Sequence, residues 1–341
     1  MDRATWQSTE EDGAETPYGT AGSGARRAAG WLAALLLLAP TAVAACRAAD
    51  TDGVTPVPQL LAFLPWLLLP AGVALLLALP ARSRFLAGWA VAVLAVTGWF
   101  VRPYDTGLTD KPPGPVVARL DVLTSNVEFG QATGALVATL RREQPDIVFV
   151  QECDHACADT LEADVPRADY PYRHVVADFS AAGSAILSRH PLRPAPGVGS
   201  TLAMPGAVVD VAGRDVGVQL AHPLPPVPDA VDDWRRELGL LRNHAARTKG
   251  SPTVVAGDFN AGQDHAAFRR ILRAGGLSDS ATLAGAARTP SWPAALRRPL
   301  GTQIDHVLVS EDFSVRRARF LDLPDTDHRS LLVELELHDV R

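Results

Sequence analysis

The pattern of apolar and polar positions divides the chain into two parts that bury hydrophobic residues differently. Three stretches, Ala28–Cys46, Leu60–Leu79 and Phe85–Val101, are apolar almost throughout and contain no charged residue. At a rise of about 1.5 Å per residue the second covers about 30 Å, the hydrocarbon thickness of a bilayer, and the others come close to it. Pro65 and Pro70 within it are tolerable in a membrane helix. The pattern therefore predicts three transmembrane helices over 28–46, 60–79 and 85–101, within an anchor spanning 28–102. Residues 1–27 are polar and mix Glu10, Glu11, Asp12 and Glu15 with Arg26 and Arg27, so a disordered tail is expected there. Four prolines and two glycines between Val101 and Val116 predict an extended linker over 103–117.

From 118 to 341 short runs replace the long ones. β-rich segments recur at Val116–Leu123, Asp146–Val150, Ser184–Ser188, Val208–Val211, Val216–Leu220, Thr253–Ala256, Ile304–Val309 and Leu331–Leu337. The last alternates Val333, Leu335 and Leu337 with Glu334 and Glu336, the period of a half-buried strand. Helical patterns fall at Gly134–Gln144, Ala230–Thr248 and Ala266–Arg273. Strands outnumber helices without strict βαβ alternation, which predicts an α/β domain of packed sheets flanked by helices.

Charge adds a direction to this picture. Arg26 and Arg27 precede the first apolar stretch, and Arg82 and Arg84 lie between the second and third, while Arg47 is balanced by Asp50 and Asp52. The positive-inside rule places the N-terminus and the 82–84 turn in the cytoplasm, and three crossings then put the C-terminal domain outside a cell membrane. Val43-Ala44-Ala45-Cys46 also resembles a lipoprotein cleavage box, and processing there leaves the domain on the same side. The net charge of −6 falls on residues 104–341, which carry 25 basic and 31 acidic residues, so a strongly basic nucleic-acid binder is excluded. Three cysteines form no disulfide framework; Cys153 and Cys157, four apart, would share a helical face and point along it poorly for a bridge. With His155 they lack the second Cys/His pair that a tetrahedral metal site needs. The patterns for nucleoside-triphosphate cradles, serine nucleophile elbows and C-x-x-C redox pairs are absent from the sequence.

The candidate chemistry lies just beyond the apolar runs. Asn126, Glu152, His222, Asp258 and Asn260 follow predicted strands, whereas Asp305, His306, Asp327 and His328 precede or open others. Acids, amides and histidines at strand ends converge at one mouth of a sheet pair. Gly257-Asp258-Phe259-Asn260, taken with Ser125-Asn126, Gln151-Glu152, the run Gly183–Ser188, His222, Ile304-Asp305-His306 and Asp327-His328, resembles the endonuclease/exonuclease/phosphatase superfamily. The resemblance covers about 118–338 and implies a four-layer α/β sandwich, two packed and mostly antiparallel sheets between helices. The helix-anchored arrangement also resembles an actinobacterial teicoplanin-resistance type of membrane protein.

The resemblance implies a metal-dependent phosphoesterase. Glu152 would hold Mg²⁺, with Mn²⁺ or Ca²⁺ as substitutes, since a hard cation that keeps most of its waters needs only one or two carboxylates. Asn126 would assist at the metal or a phosphate oxygen, and Asp327 would be a further metal or metal-water ligand. Asp258 would orient or deprotonate the attacking water, and Asn260 would hold the phosphate. His328, fixed by Asp305, would contact the phosphate and move a proton. His222 matches a histidine near the leaving group, and His306 is read as structural. The expected partners are the bilayer and a phosphorylated lipid or polyprenyl phosphate, because anchoring raises the effective concentration of membrane-embedded substrates. An extracytoplasmic nuclease acting on nucleic acid is the alternative, followed by an inactive binding module. No protein partner is indicated.

Overall fold

The computed structural model describes residues 21–102, 112 and 114–339, so the expected disordered tail up to residue 20 and most of the expected linker lie outside the described residues. Helix α1 runs over Ala21–Ala48, and residues 21–27, read above as tail, form its first turns. Once the apolar stretch behind them is helical, Ala25, Arg26 and Arg27 extend it at little cost, and Gly22, Ser23 and Gly24 follow as its first turn. The expected middle span is not one helix. It divides into α2 (Val57–Ala62), a 3₁₀ turn (Leu64–Leu67) and α3 (Leu68–Ala78). Pro65 explains the break, because it lacks an N–H and its ring clashes with the carbonyl one turn back. Helix α4 follows at Arg84–Val101. Among the described residues two helices, Gly24–Ala48 and Arg84–Val101, are therefore long and apolar enough to cross a membrane, in place of the three expected; Leu64–Ala78 is a shorter apolar piece.

These helices pack through small residues. Ala33, Ala71, Ala74 and Ala90 meet Leu37 and Val93 in the middle of the bundle. Trp31, Leu35, Leu76, Phe85 and Trp99 are exposed on its outside. Such an arrangement reverses the pattern of a water-soluble amphipathic helix. Gly30 lies beside Ala81 and Leu86, so the arginines at 26–27 and 82–84 share one end of the bundle.

The remaining chain builds two six-stranded sheets. Strands β1 (Val116–Asn126), β2 (Ile147–Gln151), β3 (Tyr172–Val176) and β4 (Ser184–Ser188) join β11 (Phe313–Asp322) and β12 (Arg329–His338) in the order β11-β12-β1-β2-β4-β3. Strands β5 (Leu192–Val198), β6 (Met204–Val211), β7 (Arg214–Ala221), β8 (Thr253–Asp258), β9 (Ser278–Asp279) and β10 (Asp305–Val309) form the second sheet in the order β5-β6-β7-β8-β10-β9. Only β1 with β2 and β7 with β8 pair in parallel among the described strands. Val122, Phe149, Val218, Leu220, Val254, Val307 and Val333 interlock between the sheets. Helices α5 (Thr133–Glu143) and α6 (His155–Asp164) cover the first sheet through Leu136, Leu140 and Leu161. Helices α7 (Val231–Thr248) and α8 (Ala266–Gly275) cover the second through Trp234, Leu238, Phe268 and Ile271. A short α9 (Ser280–Leu283) precedes β10. The result is the expected α/β sandwich, two mixed sheets between helices.

Side-chain placement brings one further correction and one added contact. Cys153 and Cys157 form a disulfide with their Cα atoms 5.1 Å apart. A bridge is disfavoured only when both cysteines lie on one helix, and α6 begins at His155 behind an Asp154 cap, leaving Cys153 free to turn toward Cys157. The 47–66 segment, moreover, docks directly on the domain. Asp52 accepts from the backbone N–H groups of Ala266 and Ala267 at 2.6 and 3.0 Å, Arg47 pairs with Asp264 at 3.2 Å, and Trp66 Nε1 donates to the Gly301 carbonyl. Bundle and sandwich are thus held together by side-chain contacts as well as by the chain that links them.

Candidate active site

Six strand ends meet at one mouth of the sandwich. The register pairs Asp258, the last residue of β8, with Asp305, the first of β10. Asn126 closes β1 beside Gln151, the last residue of the parallel β2, so Glu152 emerges next to it. His222 follows β7 and His328 precedes β12. Backbone geometry aims several of these groups. Glu152 and Asn260 have left-handed φ values of +58° and +46°. Gly257, at φ +155°, passes so close to Ala221 that an added Cβ would lie 1.9 Å from that carbonyl oxygen.

The polar network is dense and mostly buried. Asn126 donates through Nδ2 to Glu152 Oε1 at 3.0 Å and to Asp258 Oδ2 at 3.2 Å, and its Oδ1 accepts from the Glu128 N–H. Glu152 Oε2 accepts from Phe129 N–H at 3.0 Å. Asp258 Oδ1 accepts from Asn260 N–H at 2.8 Å, and Asn260 Nδ2 donates to the Pro223 carbonyl. His328 Nδ1 lies 2.9 Å from Asp305 Oδ2, while its Nε2 lies 3.7 Å from carboxylate oxygens of both Asp258 and Asp327. His222 Nε2 is 3.7 Å from Glu152 Oε1.

These environments set protonation. Burial opposes charge on His328, yet the carboxylates of Asp305, Asp258 and Asp327 prevail and raise its pKa to about 10, so it is an imidazolium at neutral pH. Burial, together with the nearby His328 charge, lowers His222 to about 3 and keeps it neutral. Burial raises Asp258 to about 7, with the neighbouring Asp305 and Glu152 adding to the effect, in the range a general base needs.

Two features fit a divalent cation. Asp258, Asp305 and Asp327 put three carboxylates around the His328 imidazolium, Glu152 is joined to Asp258 through Asn126, and buried Asp305 Oδ1 has no hydrogen-bond partner among the described residues. Asp258, Asp305 and His328 also offer ligand atoms within 4.8 Å of one another. A protonated imidazole has no lone pair to give, so the oxygen-rich side, Glu152 with Asn126 and Asp258, suits a hard cation.

The structure thus gathers Asn126, Glu152, His222, Asp258, Asn260, Asp305, Asp327 and His328 at one mouth. His306 lies apart, buried against Phe268, with Nδ1 3.0 Å from Asp279 and Nε2 3.1 Å from the Ala261 carbonyl. Trp292 was not singled out by sequence. Its Nε1 donates to Asp327 Oδ2 at 2.8 Å and fixes that carboxylate, a contact between distant loops that no local pattern announces. Thr326 Oγ1 likewise ties the His328 loop to the Asn126 carbonyl.

Residues 123–328 match the family model described as the Endonuclease/Exonuclease/phosphatase family. No curated protein matches the sequence. Among solved structures, D. rerio TDP2 complexed with a single-strand DNA product is 15% identical and superposes with a TM-score of 0.52 over 64% of this chain and 99% of that one. The human Nocturnin catalytic domain with bound sulfate anion is 17% identical, with a TM-score of 0.51 over 66% of this chain and 96% of that one. At such identities these likenesses speak for the fold, and the family match supplies the rest: the chain belongs to the endonuclease/exonuclease/phosphatase family, whose members hydrolyse phosphoesters.

Proposed function

We propose that the protein is a membrane-anchored, divalent-metal-dependent phosphoesterase whose domain faces the outside of the cell and acts on a lipid-linked phosphate. The observation that carries this reading is the place of the Asp258–His328–Asp305 cluster, at a mouth of the sandwich bordered by the segment that leads into the apolar bundle. The bundle's exposed tryptophans and leucines support a bilayer around it, and its arginine-bearing end lies away from the domain. The Cys153–Cys157 disulfide supports an oxidising compartment.

The chemistry follows from the side chains. Bound between the carboxylates, a cation such as Mg²⁺ would neutralise phosphoryl oxygens as a Lewis acid. Asp258, held by Asn126 and the Asn260 N–H, orients the attacking water and takes its proton. His328 offers its Nε2–H to a phosphate oxygen as charge develops, and Asp305 holds the ring through Nδ1. Neutral His222, on the Glu152 side, offers a hydrogen bond toward the leaving oxygen.

The test uses full-length protein in liposomes containing a polyprenyl phosphate or phosphatidic acid, with and without Mg²⁺. Mg²⁺-dependent release of phosphate or headgroup is expected, with slow action or none on plasmid DNA. Rapid DNA cleavage without lipid turnover would favour the nuclease alternative and overturn the lipid reading.

A further inference from the structure

A cavity of about 380 Å³ opens beside the catalytic cluster, within the size range of small-ligand pockets. Asn260 and His328 line it at the catalytic end. Its other walls are mostly apolar, with Gln59 and Thr302 the polar exceptions, and come from the domain and from the anchor. Pro225, Pro226 and Val227, in the loop after His222, join Trp292 and Ile304 from the domain, while Ala62 and Phe63 come from the segment preceding α3. Phe63 and Trp292 approach with ring centroids 6.4 Å apart, and Gln59 Nε2 donates to the Pro226 carbonyl, so the two walls touch and hold each other.

Three observations identify the occupant. The lining contains no lysine or arginine, so it offers a polynucleotide's neighbouring phosphates nothing to neutralise them. The catalytic end bears the residues placed on the phosphate, so whatever fills the cavity is bonded to that phosphate or next to it. The anchor-side wall runs directly into apolar helix: Leu69, Val73 and Leu76, at helical spacing on α3, are exposed a few residues beyond Phe63. We infer that this cavity, which rests on the lipid-phosphate reading above, binds the first carbons of a hydrocarbon chain esterified to the scissile phosphate. The segment 59–63 thereby completes the substrate site and selects for chain as well as for phosphate.

The experiment is a homologous series of alkyl phosphates with chains of about one to eight carbons, assayed on full-length protein in detergent. A chain entering an apolar cavity gains about threefold to fourfold in kcat/KM per buried methylene, and the gain should level off once the cavity is full. Ala62→Trp, which fills the cavity, should flatten that slope, cutting the ratio of longest to shortest substrate at least tenfold, mainly through KM. Val227→Asp, at a half-exposed position, should also flatten it. A phosphate bearing a diazirine at the chain end should label the peptide containing Ala62 and Phe63. A protein that turns over lipid phosphates with the same slope in wild type and both variants, or with labelling confined to α1 and α4, would overturn the cavity assignment alone. A protein that cleaves DNA and no alkyl or lipid phosphate would overturn it together with the lipid reading.

Discussion

His328 sits among carboxylates that hold its proton well past neutrality, with consequences for both rate and stability. Its folded pKa of about 10 lies above the ordinary 6.5, so its stabilisation is complete below about pH 6.5 and is lost as pH rises through about 10. In that window the native chain carries a proton that the unfolded chain has released. Stability of the metal-free protein should therefore fall by roughly 1 kcal/mol per pH unit between about pH 7 and pH 9. Thermal melts in chelator-containing detergent read this directly, and His328→Gln should lessen the slope, leaving the part that the raised Asp258 contributes; a wild-type slope of zero would contradict the imidazolium assignment. Asp258→Asn should lower turnover on the order of 10³-fold while leaving the melting temperature unchanged or higher, because an amide spares the site a buried carboxylate that burial and its neighbours already disfavour. Glu152→Gln should first raise the Mg²⁺ concentration needed for half-maximal rate, as expected of a residue on the cation side. Chelation of the wild-type protein should abolish turnover and readdition of Mg²⁺ restore it.

At the scale of elements, helix α8 shows how closely bundle and domain are joined. Its N-cap residue, His265, provides no side-chain cap; Asp52, from the loop after α1, accepts the N–H groups of Ala266 and Ala267 instead. Such capping is worth about 1 to 2 kcal/mol and also places negative charge at the positive end of the helix. Asp52→Ala should lower the melting temperature of the full-length protein by several degrees and raise hydrogen exchange in the first turn of α8; unchanged exchange there would show that the cap is not a stabilising contact. Asp52 was legible in the sequence only as a loop acid. The strands divide along similar lines. The eight expected from hydrophobic runs are present, and those not foreseen, β3, β5, β9 and β11, are the edges of the two sheets. An edge need not be apolar on both faces: β5 carries Pro194, Pro196 and Gly197, and β11 carries Arg316, Arg317 and Arg319. Proline and charge blunt an edge against further pairing, and they also erase the period that a strand is read from. The site residues were visible because polar groups that end buried strands interrupt apolar runs. Trp292 and Asp52 act through contacts across more than thirty residues, beyond any local pattern.

For the whole molecule, the decisive geometry is that three helix ends meet the domain while Arg26, Arg27, Arg82 and Arg84 gather at the other end of the bundle. Arg47 at the end of α1 pairs with Asp264, Trp66 beside α3 reaches Gly301, and Arg288 donates to the Phe100 carbonyl near the end of α4. Arg26, Arg27, Arg82 and Arg84 lie at the opposite end, about one bilayer thickness along α1. If that end is cytoplasmic, as the positive-inside rule requires, docking fixes the catalytic mouth at the outer surface and orients its apolar cavity beside the lipid, whereas a flexible tether would let it tumble. Alkaline phosphatase fused after Lys111 should then be active in a bacterial host, and fused after Arg84 inactive. The shorter Leu64–Ala78 piece makes this a sharp test, because a middle segment that fails to cross would leave two spans and return the domain to the cytoplasm. An inactive fusion at Lys111 would show that outcome, place the Cys153–Cys157 pair in a reducing compartment, and direct the search toward substrates of the inner leaflet.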